Sequence, residues 1–234
     1  MLARGRHGQH RQRVRRRIRR PPDQLPGARV SRPIAAAHAG DLGPERIRER
    51  VKELLARDAE AAFLRRASRH QYEAAREAAP DAVRHERSGL VVLAPPRPRP
   101  CSQVPLPVAV VSAGTADLPV AEEALVAATT FGLAATLTAD VGVAGLHRLL
   151  AVREELDRAR LLIVVAGMDG ALPSVVAKVS SRPVVAVPTS VGYGSSDGGL
   201  AALAALLASG APGLAVTGID DGLGAAVLAR RLLT

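Results

Sequence analysis

The chain is short of the residues that most often carry specialised chemistry. It has one cysteine, Cys101, in 234 residues, which excludes an internal disulfide and a cysteine-based zinc site. Tryptophan is absent, and the aromatics are Phe63, Tyr72, Phe131 and Tyr193, too few to stack nucleic-acid bases. The core therefore falls to Ala, Val and Leu. No apolar run reaches 18 residues, so the sequence contains no membrane span and the expectation is a soluble, cytoplasmic protein. At 47% hydrophobic residues it reads as globular.

What is abundant is arginine, and its position matters more than its number. The net charge is +10, and residues 1–40 hold eleven arginines against one acid, Asp23, so this segment carries all of it. The remaining chain is neutral. Residues 1–40 have no helical or strand periodicity and no apolar core of a secretory signal, so they read as a disordered Arg-rich tail. Three readings of that tail compete: a nucleic-acid arm, an amphipathic targeting peptide, and a misread start of a GC-rich gene. Because the rest of the chain is not basic, nucleic acid is not the expected partner.

The pattern changes at Gly43. Pro44 suits a first helical turn, and Ile47, Val51, Leu54 and Leu55 follow at helical spacing. Ser68 and Gln71 have the spacing of a capping box that opens a second helix. Residues 89–93, GLVVL, read as a strand, giving a small α/β domain over 43–93. Residues 94–106 form a proline-rich linker whose extended tendency would hold two domains apart.

From residue 107 five apolar runs alternate with helical segments: 107–112, 134–138, 161–167, 183–188 and 213–218. Continuous apolar strands separated by helical lengths predict a doubly wound parallel sheet covered on both faces, spanning 107–234. Such a three-layer α/β fold binds ligands beyond the carboxyl ends of its strands. The residues following each run are therefore the candidates. Ser112, Gly114, Thr115 and Asp117 follow the first, before a helix at Pro119 whose N-terminal amides suit a phosphate or carboxylate. A capped tight turn would look the same. Asp140 and His147 flank a glycine-containing turn after the second and could form an acid/base pair if the turn folds them together. A surface or capping histidine is the plainer alternative. Gly167, Asp169 and Gly170 follow the third run, and Pro188, Thr189, Ser190, Tyr193 and Gly194 the fourth. Four polar, glycine-rich turns at one sheet edge point to a nucleotide or another phosphorylated ligand.

Five segments carry a resemblance: SAGTADLPVAEEA (112–124), DVGVAGLHRLL (140–150), VVAGMDGALPSVV (164–176), VAVPTSVGYG (185–194) and GIDDGLGAA (218–226). In these the chain resembles the carboxylase/hydrolase family of nickel-pincer cofactor biosynthesis, which matures lactate racemase and is related to phosphoribosylaminoimidazole carboxylase. Residues 43–93 resemble the small N-terminal domain of that family more loosely, and residues 1–40 do not match it.

The resemblance implies carboxylation of the pyridinium ring of nicotinic acid adenine dinucleotide by CO2 or bicarbonate. It also implies hydrolysis of the phosphoanhydride to AMP, giving pyridinium-3,5-biscarboxylic acid mononucleotide. It implies a homo-octamer, with no tightly bound cofactor and with a divalent metal left open for the hydrolytic step. It assigns Asp140 and His147 to the catalytic turn, with Asp169 as a third catalytic residue. Ser112, Gly114, Thr115, Asp117, Gly167, Pro188, Thr189, Ser190, Tyr193 and Gly194 would line the substrate pocket. Two positions depart from the family pattern. Asp169 stands where a glutamate is usual, and Gly210 stands where a cysteine would add to the pyridinium ring. Two other readings remain: a nucleotide-binding homologue without catalysis, and aminoimidazole ribonucleotide carboxylation, which needs no covalent cysteine.

Overall fold

The computed structural model describes residues 33–94, 106–192 and 198–233, and Pro33–Thr234 form one unit by their contacts. The first helix, α1 (Pro44–Ala56), opens with its proline and buries Ile47, Val51 and Leu54 along one stripe, while Leu55 faces outward. α2 (Arg69–Ala78) is capped by Ser68, whose hydroxyl accepts the Gln71 amide while Gln71 accepts the Ser68 amide. These helices cover one face of a four-stranded sheet of order β1-β2-β4-β3, made of β1 (Ile34–His38), β2 (Ala61–Arg65), β3 (Val83–Arg84) and β4 (Val91–Ala94).

Two expectations are corrected. The tail does not extend to residue 40, because β1 occupies 34–38 and pairs in parallel register with β2, Ile34 opposite Ala61. An alanine-rich pentapeptide has little β propensity of its own, so only its neighbour makes it a strand. Residues 1–32, with every reading of the arginine-rich tail, lie outside the described residues.

The second correction concerns the linker. Its residues 95–105, including Cys101, lie outside the described residues, but the parts it joins are not held apart. β2 alternates, sending Ala62 and Leu64 toward α1 and α2, and Ala61 and Phe63 into a core shared with the second half of the chain. Phe63 meets Phe131 edge to face at 5.7 Å. Burying that ring pair removes more apolar surface from water than a spaced arrangement could, which outweighs the extended preference of a proline-rich connection.

The second sheet has order β6-β5-β7-β8-β9 and is parallel throughout: β5 (Pro107–Ser112), β6 (Ala134–Thr138), β7 (Leu161–Ala166), β8 (Val184–Pro188) and β9 (Leu214–Val216). Every residue of β7 and β8 is buried, as expected for strands covered on both faces. α3 (Leu118–Thr130) and α8 (Gly222–Leu233) lie between the two sheets. Their contact faces are small residues, Ala121, Ala124, Ala127, Ala225, Ala226 and Ala229, which lets the helices approach closely. A β-carbon on Gly222 would fall 2.4 Å from the Val120 carbonyl oxygen. The opposite face carries α4 (Leu146–Ala151), α5 (Arg153–Arg158), α6 (Ala171–Val179) and α7 (Leu200–Leu207). Among the described residues no helix is long and apolar enough to cross a membrane.

Candidate functional site

In this strand order the chain reverses direction across the sheet between β5 and β7, and at such a switch point an open α/β sheet forms its crevice beyond the carboxyl ends of the strands. Asp117 sits at that crevice, 6% exposed, on a short 3-10 turn (Thr115–Asp117) after β5. Its carboxylate accepts the Gly114 amide at 3.0 Å, the Gly167 amide at 3.1 Å and the Thr189 hydroxyl at 2.7 Å. One side chain thus ties together the loops that follow β5, β7 and β8. Burial pushes its carboxyl above the ordinary carboxylate range, the three hydrogen bonds pull it back, and the Asp220 charge adds to the rise.

The neighbouring candidates fit around this node. Ser112 is fully buried, with its hydroxyl 3.4 Å from the Gly114 carbonyl, and Thr115 is exposed. Gly167 has no room for a side chain: a β-carbon would lie 2.2 Å from the Val191 carbonyl oxygen and 2.5 Å from the Thr189 hydroxyl. Pro188 and Thr189 are buried and Ser190 is exposed. Tyr193 and Gly194 lie outside the described residues.

The structure does not bring Asp140 and His147 together as an acid/base pair, while Asp169 stands, as expected, where a helix begins. The Asp140 carboxylate lies 2.8 Å from the Arg148 guanidinium, and both partners are substantially exposed. His147 points to solvent from α4, because the turn places Arg148 over Asp140. Asp169 accepts the Ala171 amide at 3.2 Å and caps α6 from an exposed position. Asp169 lies two residues after Gly167, whose amide donates to Asp117, and Asp140 precedes Val141, whose amide donates to the Ser112 carbonyl.

Sequence reasoning missed the groups brought from the small sheet. Arg65, the last residue of β2, lies 2.5 Å from Glu123 of α3 and 3.0 Å from Asp221, and donates to the Asp220 carbonyl at 2.9 Å. Next to it, Arg66 pairs with the Asp220 carboxylate at 3.1 Å, and the other oxygen of Asp220 accepts the Ser190 amide at 2.8 Å. His38, at the end of β1, lies 3.4 Å from Arg65. Burial, then the Arg65 and Arg66 charges, hold its imidazole below the ordinary value. The available signals were two arginines ending an apolar strand, AAFLRR, and the paired acids of GIDDG.

Four non-glycine residues have positive φ among the described residues: Arg66, Asp140, Met168 and Asp220. Each lies just beyond a strand, where such backbone costs about 1–3 kcal/mol and marks places in which a side chain is retained against strain. Among the described residues no three His, Cys, Asp or Glu side chains gather to hold a metal ion.

A parallel 2-1-3-4-5 sheet with helices on both faces defines a flavodoxin-like α/β protein. The chain belongs to the AIR carboxylase family, whose model matches residues 107–234. It is 45% identical over 124 residues to an uncharacterized protein of Methanocaldococcus jannaschii, covering 52% of this chain and 47% of that one. The chain therefore spans about half the length of that relative. It is 35% identical over 134 residues to the N5-carboxyaminoimidazole ribonucleotide mutase of the same organism, covering 54% of this chain and 78% of the mutase. A crystal structure of a Treponema denticola PurE2 substitution variant aligns at TM-score 0.45 and 23% identity, covering 56% of this chain and 80% of that one.

Proposed function

We propose that this protein binds a phosphorylated pyridine nucleotide at the carboxyl edge of its parallel sheet. Its scaffold is that of the nickel-pincer carboxylase/hydrolase, with nicotinic acid adenine dinucleotide as substrate: the hydrolytic half-reaction is retained, and carboxylation by CO2 or bicarbonate awaits the nucleophile that Gly210 does not supply. The observation that carries this reading is the coupling of the small sheet to the GIDDG loop through Arg65 and Arg66. The family match covers residues 107–234, yet the GIDDG loop of that part is engaged by residues of the small sheet.

The two half-reactions make different demands. Hydrolysis of the phosphoanhydride transfers a nucleotidyl group to water, with the other mononucleotide leaving through its phosphate, and needs donors that stabilise charge on the phosphate oxygens. The Arg66 guanidinium and the Ser190 amide beside Asp220 are donors of that kind. Carboxylation of an electron-poor ring needs a nucleophile to add first. Gly210 supplies none, and the Ser209 hydroxyl beside it lies 2.8 Å from the Ser174 hydroxyl with no basic group in that contact. A β-carbon at Gly210 would meet nothing within 4 Å, so a cysteine fits there.

The test is incubation of the full chain and its Gly210→Cys variant with nicotinic acid adenine dinucleotide and bicarbonate, with AMP and the carboxylated mononucleotide followed separately by mass spectrometry. The expected result is AMP from both and the carboxylated product from the variant alone. Failure of both proteins to release AMP would overturn the reading. N5-carboxyaminoimidazole ribonucleotide, assayed in parallel, tests the aminoimidazole alternative, which the 35% identity to a mutase favours.

Homo-octamer formation belongs to the same proposal. α7 is apolar on nearly every side and leaves Leu200 and Leu207 exposed, as α4 leaves Leu146 and Leu150. A helix of that composition is normally covered, and further copies of this chain are the proposed cover. Light scattering on the eluting protein reads the assembly directly.

A further inference from the structure

Arg66 and Asp220 come from different sheets, and their ion pair joins two backbones that both sit in the left-handed region, at φ +54 and +55. Glycine would relieve the strain at either position, so the side chains are kept for what they do. Stability alone is a poor explanation. The Arg66 side chain is 49% exposed, and a half-solvated ion pair contributes little. The Asp220 carboxylate is nearly buried and bridges two anion-binding donors, the Arg66 guanidinium and the Ser190 amide. Ser190 follows Thr189, whose hydroxyl donates to Asp117 at the switch point between β5 and β7. Two donors aimed at one carboxylate beside that switch point have the chemistry of a phosphate site.

We propose that Arg66 and the Ser190 amide bind a phosphate group of the nucleotide, with the Asp220 carboxylate competing for both donors. The small sheet then contributes a binding residue to the site of the other sheet. This inference rests on the nucleotide reading above and adds a specific anion subsite to it. Arg65 is not part of the subsite, because Glu123, Asp221 and the Asp220 carbonyl already engage it. His38, held neutral beside both arginines, adds no competing charge.

Calorimetric titration of the full chain with AMP, pyrophosphate and adenosine tests the proposal, using wild type, Arg66→Gly, Arg66→Lys and Asp220→Asn. Glycine is suited to the backbone at position 66, so Arg66→Gly removes the guanidinium without adding strain. Its affinity for AMP and pyrophosphate should fall on the order of 10- to 100-fold, with adenosine binding unchanged, and Arg66→Lys should lose less. Asp220→Asn should bind phosphate more tightly than wild type, opposite to what a merely structural defect would do. If Arg66→Gly binds AMP and pyrophosphate as wild type does, the subsite is wrong and the nucleotide reading stands. If wild type binds neither, both fall. Weaker phosphate binding in Asp220→Asn would overturn the competing role of that carboxylate.

Discussion

Arg65 and Glu123, 58 residues apart in sequence, meet as a buried ion pair between the small sheet and α3, with side chains 11% and 4% exposed. Glu123 also accepts the Leu223 amide at the start of α8, so the pair joins three elements. Removing Arg65 strands the Glu123 charge away from water, which costs about 3–5 kcal/mol. Arg65→Met should destabilise the protein on that scale and Glu123→Gln by less, because Arg65 keeps Asp221 and the Asp220 carbonyl. The double variant should cost clearly less than the sum, because neither charge is left alone. Urea unfolding of the four proteins measures the coupling. Additive losses would mean that the residues act independently.

Asp117 holds three loops through three donors, and Asp117→Ala leaves the Gly114 and Gly167 amides and the Thr189 hydroxyl without that acceptor. The expected loss is on the order of 3 kcal/mol. A loss below about 1 kcal/mol would show that the loops hold themselves. Carbon-detected NMR titration should place the Asp117 midpoint above 3.8. The folded protein then holds this proton more tightly than the unfolded chain. The contribution of the group to stability is fullest below 3.8 and declines as pH rises through the raised value.

His38 has the opposite sign. Its value is lowered from 6.5, so the unfolded chain binds this proton more readily. Its contribution is complete above 6.5 and is lost as pH falls through the lowered value. His38→Asn should therefore flatten the pH dependence of the denaturation midpoint between pH 7.5 and about 5 relative to wild type. Equal slopes in the two proteins would mean that His38 is not desolvated in the fold.

Gly167 and Gly210 have opposite tolerance for a side chain. A methyl group at 167 collides with the Val191 backbone, whereas at 210 it meets nothing. Gly167→Ala should lose about 1–3 kcal/mol and weaken nucleotide binding, and Gly210→Ala should change the denaturation midpoint by less than about 0.5 kcal/mol equivalent. Equal effects would mean that the β7 loop moves freely away from Val191.

The sequence by itself determined the elements whose signal is local. Five apolar runs gave the parallel strands, Pro44 and the Ser68 capping box gave helix starts, and the carboxyl-edge loops carried Ser112, Gly114, Asp117, Gly167 and Thr189 together. Period, capping and turn chemistry act over a few residues, so they are written in the order of the chain. The tertiary structure decided what lay between distant segments. It made IAAAH a strand by giving it β2 as a neighbour, and joined both halves through Phe63 and Phe131. It paired Asp140 with Arg148 in place of His147, and placed Arg66 against Asp220, 154 residues away. A charge has no periodicity and attracts whichever opposite charge the packed core brings within reach, so such pairs appear only once the chain has folded.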